Sequence, residues 1–143
     1  MSLTTLKSKS LAWATVAAMD LRAALLMSDT TVDTEPAPAT VDGYTTLDEL
    51  DAEGYARKAL ANVALVEDGG NNKIQIQADD LVWSALATGT RQVVGLLIYA
   101  HVTDDTDSVP IAFLDSADMP LDGGAADLTI SFPSNVVIED QAA

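Results

Sequence analysis

The apolar run from Val93 to Ala100 is the feature that most constrains how this chain can fold. A membrane-spanning helix needs about 20 apolar residues, so this run is far too short to cross a bilayer. Its β-branched and aromatic residues favour a buried strand over a helix. Gly89 lies in the polar turn before the run, and the acidic turn Asp104-Asp105-Thr106-Asp107 follows it. We therefore expect Val93–Ala100 to be the central strand of a β-rich domain.

The length of the chain and its cysteine content limit the kinds of protein that it can be. Its 143 residues predict one domain, with a core large enough to hold without covalent cross-links. There is no cysteine, so disulfides, a thiolate nucleophile and cysteine-based zinc or iron–sulfur sites are excluded. His101 is the one histidine, which excludes the usual multi-histidine metal sites. We expect no cofactor and no catalytic, cofactor-binding or metal-binding residues, and we interpret the chain as not an enzyme.

The charge of the chain argues against two kinds of partner. The net charge is −15, and the basic residues form only pairs, Lys7 with Lys9 and Arg57 with Lys58. Such a surface repels the phosphates of nucleic acids and of anionic membranes. The hydrophobic content of 48% nevertheless excludes a disordered acidic tail. We therefore predict a folded protein that binds neither nucleic acid nor membrane.

The first 18 residues are predicted to form an N-terminal arm, and residues 19–143 a β-rich domain. Met1–Ser10 is rich in Ser, Thr and Lys and is expected to be a loose arm. The apolar segment Leu11–Ala18 is expected to be extended or partly helical, because a short apolar run does not distinguish strand from helix. It imitates a signal peptide, but Asp20 and Arg22 interrupt it, so an ordinary structural element is the preferred interpretation. A strand is predicted from Leu21 to Met27.

The next part of the chain is predicted to hold a long loop, one short helix and a hairpin. Ser28–Gly43 is rich in Thr and Pro, which predicts a loop that could serve as a contact arm. Thr46–Glu49 fits a capping box, so a short helix is expected there, ending at Gly54. A β stretch should then run from Gly54 towards Val66. Lys73–Gln77 alternates, with Ile74 and Ile76 predicted to face inward.

Three further strands are predicted towards the C-terminus. They are Val109–Leu114, with Pro110 marking an edge or strand end, then Leu128–Phe132 and Val136–Ile138. Short strands at near-regular spacing predict a mainly β fold, an antiparallel β-sandwich or barrel-like single domain.

The polar residues form no pattern that identifies a chemistry. Asp79, Asp80, Glu53 and Asp115 could be nominated as a glycosidase pair, but nothing in the sequence selects two of them, and surface or turn roles are the more common ones. Asp104–Asp107 could hold calcium, although the run lacks EF-hand spacing, and a turn between strands is the better interpretation. His101 has no evident triad to serve. Gly69-Gly70 and Gly123-Gly124 are interpreted as turn glycines, and Arg57 and Lys58 as exposed strand charges or contacts to a neighbouring subunit.

Several motifs together resemble small structural virion proteins of tailed bacteriophages, over roughly residues 21–132. They are Ala24–Met27, Gly54–Leu60, Ala78–Trp83, Val94–Tyr99 and Ile111–Asp115. The ten-residue arm and Leu11–Ala18 lie outside the resemblance. It implies an oligomeric β-rich virion component attached to the head or tail, and no catalytic or binding residue.

The resemblance thus suggests a capsid decoration (cement) protein that binds the major capsid protein or other virion proteins and acts through buried subunit surface. The N-terminal arm and Ser28–Gly43 are the expected contacts. The alternative is a carbohydrate- or receptor-binding β-sandwich, with Asp104–Asp107 and Asp115–Gly124 as a calcium-assisted site and Trp83 or Tyr99 as a stacking face.

Overall fold

The chain is mainly β, with strands in antiparallel sheets and one α-helix in the residues that the structure describes. The structure is a computed structural model that describes residues 3–115 and 126–141. The helix is α1 (Leu3–Ala17), and the strands are β1 (Leu21–Met27), β2 (Lys58–Ala59), β3 (Ala64–Asp68), β4 (Lys73–Gln77), β5 (Leu81–Leu86), β6 (Val93–Ala100), β7 (Val109–Leu114), β8 (Ala126–Ile130) and β9 (Val136–Gln141). The predicted fold class is therefore confirmed, as an open antiparallel arrangement and not a closed barrel.

The chain divides into two compact units. The first comprises the N-terminal segment as far as Met19, Leu60–Leu81 and the chain from Ile130 onward, and the second comprises Asp20–Ala59 and Val82–Thr129. The first unit contains α1 and the three-stranded sheet β3-β4-β9. The second contains the four-stranded sheet β2-β1-β6-β7, while β5 and β8 form a separate pair. The predicted boundary between residues 18 and 19 stays a prediction.

The predicted central strand is confirmed. β6 lies between β1 and β7, and every residue of β6 except Val94 is buried. A strand whose two faces are both covered has no solvent side, which explains why its sequence is continuously apolar and does not alternate. β7 is the edge strand beside it, as Pro110 near its start predicted.

The hairpin of the first unit also follows the predicted pattern. β3 and β4 pair antiparallel around a turn that contains Gly69 and Gly70. In β4, Ile74 and Ile76 are each 1% exposed, whereas Gln75 and Gln77 are half-buried. The predicted inward face of Lys73–Gln77 is thus correct, and β9 extends the sheet on the other side of β4.

The N-terminal segment differs from its prediction. Leu3–Ala17 is helical, where the sequence predicted a loose arm up to Ser10 and an extended or partly helical segment beyond it. The segment contains Ala and Leu residues, which favour helix, together with Ser and Thr, which do not. Packing of α1 against β3 and β4 adds the tertiary stabilisation that an isolated helix of this length lacks.

The predicted capping-box helix at Thr46–Glu49 is wrong. The backbone of this segment bonds to β1 instead: the Leu50 N–H donates to the Leu25 carbonyl over 2.9 Å, and the Met27 N–H donates to the Asp48 carbonyl over 2.7 Å. Asp48 has a φ of 52°, in the left-handed region, which is incompatible with a helix start.

The predicted β stretch from Gly54 to Val66 is also interrupted. Only Lys58–Ala59 and Ala64–Asp68 are strands, and Asn62 between them has a φ of 54°. Asn tolerates this left-handed conformation better than most residues, so the chain turns there. No helix in the described residues is long and apolar enough to span a membrane.

Candidate functional site

A cluster of charged and aromatic side chains around Arg57 is the most developed polar feature of the second unit. Arg57 precedes β2 directly, and its guanidinium donates to both oxygens of Glu49, from Nε over 2.7 Å and from Nη2 over 2.9 Å. It also donates to both oxygens of Asp105, from Nη1 over 2.5 Å and from Nη2 over 2.8 Å. Paired bonds of this kind are the strong, geometrically specific mode of Arg–carboxylate recognition.

Two tyrosines complete this Arg57 cluster. The Tyr99 ring lies beneath the guanidinium, with Arg57 Cζ at 5.1 Å from the ring centroid, and the Tyr99 hydroxyl is 3.3 Å from Nη1. The Tyr55 hydroxyl donates to Glu49 Oε2 over 2.6 Å and accepts from the Leu25 N–H over 3.1 Å. The cluster therefore joins the strands β1 and β6 to the segments that carry Glu49, Tyr55 and Asp105.

The electrostatics of the cluster follow from these contacts. Hydrogen bonding to the Arg57 guanidinium lowers the pKa of Asp105 below its ordinary value. The bonds to Asp105 and Glu49 raise the pKa of Arg57, so the guanidinium stays charged. Burial is the main cause that raises the pKa of Tyr55, with Glu49 acting in the same direction, so this phenol stays protonated and remains a donor.

An open depression lies over the cluster, within the second unit. It is lined by Arg22, Glu49, Tyr55, Arg57, His101 and Thr103, among others. The hydrogen-bonding groups of Arg57, Glu49 and Tyr55 are already directed at one another, so the floor of the depression is a set of mutually satisfied groups. Such an arrangement stabilises neighbouring segments and offers neither an activated nucleophile nor a pair of carboxyl groups in an acid and base setting.

The acidic turn after β6 is held by its own side chains. One oxygen of Asp107 accepts from the Thr103 N–H over 2.9 Å and from the Asp104 N–H over 3.0 Å. Asp104 Oδ1 accepts from the N–H and the hydroxyl of Thr106, and Asp105 is paired with Arg57. The preferred interpretation as a turn is therefore correct in structural terms. Within residues 3–115 and 126–141, no group of three or more His, Asp or Glu side chains is placed to hold a metal ion.

The four nominated carboxylates take separate surface positions. Asp79 accepts from Asn62 Nδ2 over 2.5 Å, and Asp80 Oδ1 accepts from the Phe132 N–H over 2.9 Å. Both belong to the first unit, whereas Glu53 and Asp115 are exposed residues of the second. All four are exposed. The structure therefore gives no pair of these residues a shared, desolvated site.

The two aromatic residues that were considered as a sugar-stacking face are buried. Trp83 and Tyr99 are each 1% exposed. The Trp83 indole donates to the Ala56 carbonyl over 2.6 Å, and its ring stacks with that of Tyr55 at a centroid distance of 6.4 Å. A stacking platform must present a ring face to solvent, so these two residues do not form one. Most of Asp115–Gly124, including Gly123-Gly124, lies outside the described residues.

His101 packs locally, and Lys58 and Arg57, both expected to be exposed strand charges or intersubunit contacts, are half-buried. The His101 ring lies edge-on to Tyr99 at a centroid distance of 6.4 Å, and its backbone N–H donates to the Asp20 carbonyl. Lys58 Nζ lies 6.0 Å from the centroid of Trp83. Arg57, expected to be an exposed strand charge or an intersubunit contact, instead has a side chain only 23% exposed and forms internal ion pairs.

Sequence reasoning missed Glu49 and Tyr55 as members of the Arg57 cluster. The Arg57-Lys58 pair among the otherwise uncharged residues of Gly54–Leu60 was a usable signal, because a half-buried Arg requires carboxylate partners. The sequence did not indicate which carboxylates would pair with Arg57. Comparison of the chain with protein-family models, with curated proteins and with solved structures gives no match.

Proposed function

We propose that this chain is a structural subunit of a bacteriophage particle, a capsid decoration (cement) protein that stabilises the shell through subunit contacts. The proposal rests on the resemblance of its motifs to small virion proteins. Its partners are the major capsid protein or other virion proteins, together with further copies of the chain. In this proposal the protein acts through surface and not through catalysis.

The structural observation that supports the proposal is that Arg57 forms its contacts inside the unit. Its three nitrogens are bonded to Glu49, Asp105 and Tyr99 of the same unit, so the most elaborate polar cluster in the described chain serves internal order. A protein whose task is to present a fixed surface benefits from such a cross-link, because a pre-ordered surface loses little conformational freedom on binding. Arg57 belongs to Gly54–Leu60, one of the motifs on which the resemblance to virion proteins is based.

Exposed apolar side chains support the same proposal. Val102 is 60% exposed and Val109 is 42% exposed. Val109 pairs with Ala100 at the end of β6, and Val102 follows Ala100 by two positions. Scattered exposed apolar residues are common, but two neighbours at one sheet end offer a contact that desolvation would favour. A decoration protein needs such contacts over about 800 Å² on each partner.

A receptor- or carbohydrate-binding module of the virion is the second candidate. The open depression over Arg57 is the feature that favours it, because Arg22 and His101 are among the residues that line it and could contact a polar ligand. The burial of Trp83 and Tyr99 weighs against the stacking part of this candidate.

The test is the composition of purified particles. Tailed phage particles would be purified by density-gradient centrifugation from a lysate in which the gene for this chain is expressed during phage production. The amount of the chain would then be measured by mass spectrometry relative to the major capsid protein. The proposal predicts tens of copies or more per particle, with immunogold labelling of the head. A chain found in the soluble lysate and absent from washed particles would overturn it. A few copies confined to the tail tip would instead favour the receptor-binding candidate.

A further inference from the structure

The sequence Pro36-Ala37-Pro38-Ala39, here called the proline strap, favours an extended, polyproline II backbone. Each proline fixes its own φ near about −65°, and contact with its ring moves the preceding residue out of the helical region. The two prolines restrict residues 35–38 in this way. Within residues 3–115 and 126–141, no hydrogen bond involves residues 36–39, as expected of a polyproline II backbone that is open to solvent.

Burial along the strap follows the period of a polyproline II helix, which has about three residues per turn. The inward positions recur at every third residue: Glu35 and Pro38 are half-buried, and Val41 is buried. The strap residues between them, Pro36, Ala37 and Ala39, are exposed. The strap therefore presents apolar side chains to solvent on its outer side.

The first end of the strap is fixed by the carboxylate of Glu35. This group accepts from the Thr31 hydroxyl over 2.7 Å, from the Thr45 N–H over 2.7 Å and from the Thr45 hydroxyl over 2.8 Å. The hydrogen bond from Thr31 is the main cause that lowers the pKa of Glu35, and those from Thr45 act in the same direction. The carboxylate thus stays ionised and keeps its three donors.

The second end of the strap is fixed by backbone contacts. The Val41 N–H donates to the Ser108 carbonyl over 2.9 Å. The backbone of Gly43 lies directly against Pro38, because a Cβ on Gly43 would stand 2.6 Å from the Pro38 Cβ. With both ends fixed and two residues restricted by their rings, the strap has little conformational freedom left to lose when it binds a partner.

The charges around the strap indicate the kind of partner that it fits. Between Arg22 and Arg57 the chain has no basic residue, and the exposed Asp33 and Asp42 flank the strap. An uncharged centre with acidic flanks is complementary to a groove that is apolar at its centre and basic at its rim. Extended Pro-rich segments dock in grooves lined by aromatic side chains.

We propose that the proline strap is a recognition element that docks into an aromatic-lined, basic-rimmed groove of another virion protein. This inference rests on the proposed function, which brings the chain into contact with such partners. The strap keeps its internal anchors in the complex, so it binds as a preformed ridge. Its exposed residues enter the groove, and the flanking carboxylates pair with the basic rim.

A second copy of this chain fits the strap poorly. The open depression over Arg57 is lined by two arginines and four acidic residues, Glu49, Asp51, Asp104 and Asp105. Its acidic excess would repel the acidic flanks of the strap. The net charge of −15 adds a general repulsion between copies. The partner is therefore a chain of different composition.

Rebinding to particles tests the proposal. Particles produced without this chain are mixed with the purified protein, and bound protein is measured after sedimentation over a range of concentrations. Ala37→Asp places a charge on the exposed side of the strap without touching either anchor, and should weaken binding about tenfold or more, because an unpaired carboxylate would be buried in the groove. Pro36→Gly removes the ring and relaxes the backbone, and should weaken binding severalfold.

Ala64→Asp is the matched control, because it makes the same change at an exposed position of β3. Its binding should equal that of the wild type. Equal binding by the wild type and both strap variants would overturn the strap proposal and leave the decoration function in place. An equal loss in Ala64→Asp and Ala37→Asp would also overturn it, because added charge alone would then explain the loss. Wild-type protein that does not bind the particles would contradict the decoration function, and the strap proposal would fall with it. Circular dichroism confirms that each variant is folded.

Zero-length cross-linking of the bound particles tests the chemistry of the partner. A carbodiimide joins carboxylates to neighbouring amines, and the linked peptides are identified by mass spectrometry. The expected links run from Asp33 or Asp42 to a lysine of another virion protein that lies beside aromatic residues. Links that involve only other acidic residues of the chain would overturn the docking of the strap.

Discussion

Arg57 and Asp105 form a two-bonded ion pair, with Nη1 at 2.5 Å from Oδ1 and Nη2 at 2.8 Å from Oδ2. They are 48 positions apart in sequence, so the pair closes a long loop of the second unit. The same guanidinium holds Glu49 from the other side. The Arg57 side chain therefore links the acidic turn to the segment around Glu49, in addition to the hydrogen bonds that each of them forms by itself.

Replacing Arg57 by Met should destabilise the protein by about 2–4 kcal/mol, because Glu49 and Asp105 lose their partner while half-buried. Arg57→Lys is the matched control: it keeps the charge but loses the planar fork, so we expect about half of that loss. Urea denaturation followed by circular dichroism measures both. Equal stability of Arg57→Met and the wild type would contradict the structural role assigned to the cluster.

The stability of the protein should depend on pH through the Arg57–Asp105 ion pair. The pKa of Asp105 is lowered in the folded state, mainly by its hydrogen bonds to Arg57, so the folded protein binds fewer protons than the unfolded one in the acid range. This stabilisation is present above the ordinary carboxyl pKa of about 4 and is lost as the pH falls through the lowered folded value. Stability should thus be nearly flat from about pH 5 to 7 and fall below about pH 4.

Asp105→Asn provides the control for this pH profile. The variant should be less stable at about pH 7, and its stability should fall less steeply between about pH 4 and about pH 2, because the amide does not titrate. Asp48 and Asp140 also have lowered pKa values, each chiefly through a hydrogen bond to a basic side chain, and will keep part of the acid slope. An unchanged slope in Asp105→Asn would show that Asp105 contributes little.

Gly95 should not tolerate a side chain. A Cβ at this position of β6 would overlap the Phe113 ring and lie 3.0 Å from the Leu114 carbonyl oxygen. Phe113 packs against the buried cluster that includes Leu97 and Tyr99, so its ring has little room to move. We expect Gly95→Ala to cost about 1–3 kcal/mol by overpacking.

A second substitution separates overpacking from other effects at Gly95. Phe113→Leu removes the atoms that the new methyl group would meet, so Gly95→Ala should cost clearly less in that background than in the wild type. The double-mutant cycle is measured by thermal or urea unfolding. Strict additivity of the two changes would contradict a direct clash between these residues.

Much of the fold could be predicted from the sequence, because buried positions produce a recognisable pattern of apolar residues. The continuous apolar run predicted β6 as a central strand, and alternation predicted the inner face of β4 through Ile74 and Ile76. Such patterns fail where the backbone itself finds an unforeseen partner. Thr46–Glu49 has the composition of a helix start, but this segment and its neighbour bond to Leu25 and Met27 of β1, and this long-range pairing overrides local propensity.

The Arg57 cluster was less accessible to sequence reasoning than the strands. Its members Glu49, Tyr99 and Asp105 lie 8, 42 and 48 positions from Arg57, and no local periodicity links them. In a chain with 22 acidic residues, the partners of one Arg are not distinguishable by residue type. Only the tertiary structure selects them.

Docking of α1 should depend on Asp140. Asp140→Ala removes the acceptor of both Lys9 and Trp13, so Trp13 should become more accessible to acrylamide quenching, while the buried Trp83 should not. Glu139→Ala is the matched control, because Glu139 bonds to Gln75 and Lys73 on the other face of the sheet. Equal quenching in the two variants would contradict the assigned contact.

Removal of divalent metal should leave the protein unchanged. The carboxylates of Asp104, Asp105 and Asp107 are already bonded to Thr106, to Arg57, and to the backbone of Thr103 and Asp104. A calcium ion would have to displace these partners to gain the roughly six to eight oxygens that it prefers. Mass by light scattering and the unfolding temperature should therefore be the same in EDTA and in excess calcium. A lower unfolding temperature in EDTA, restored by calcium, would instead favour the calcium-assisted receptor-binding module over the decoration protein.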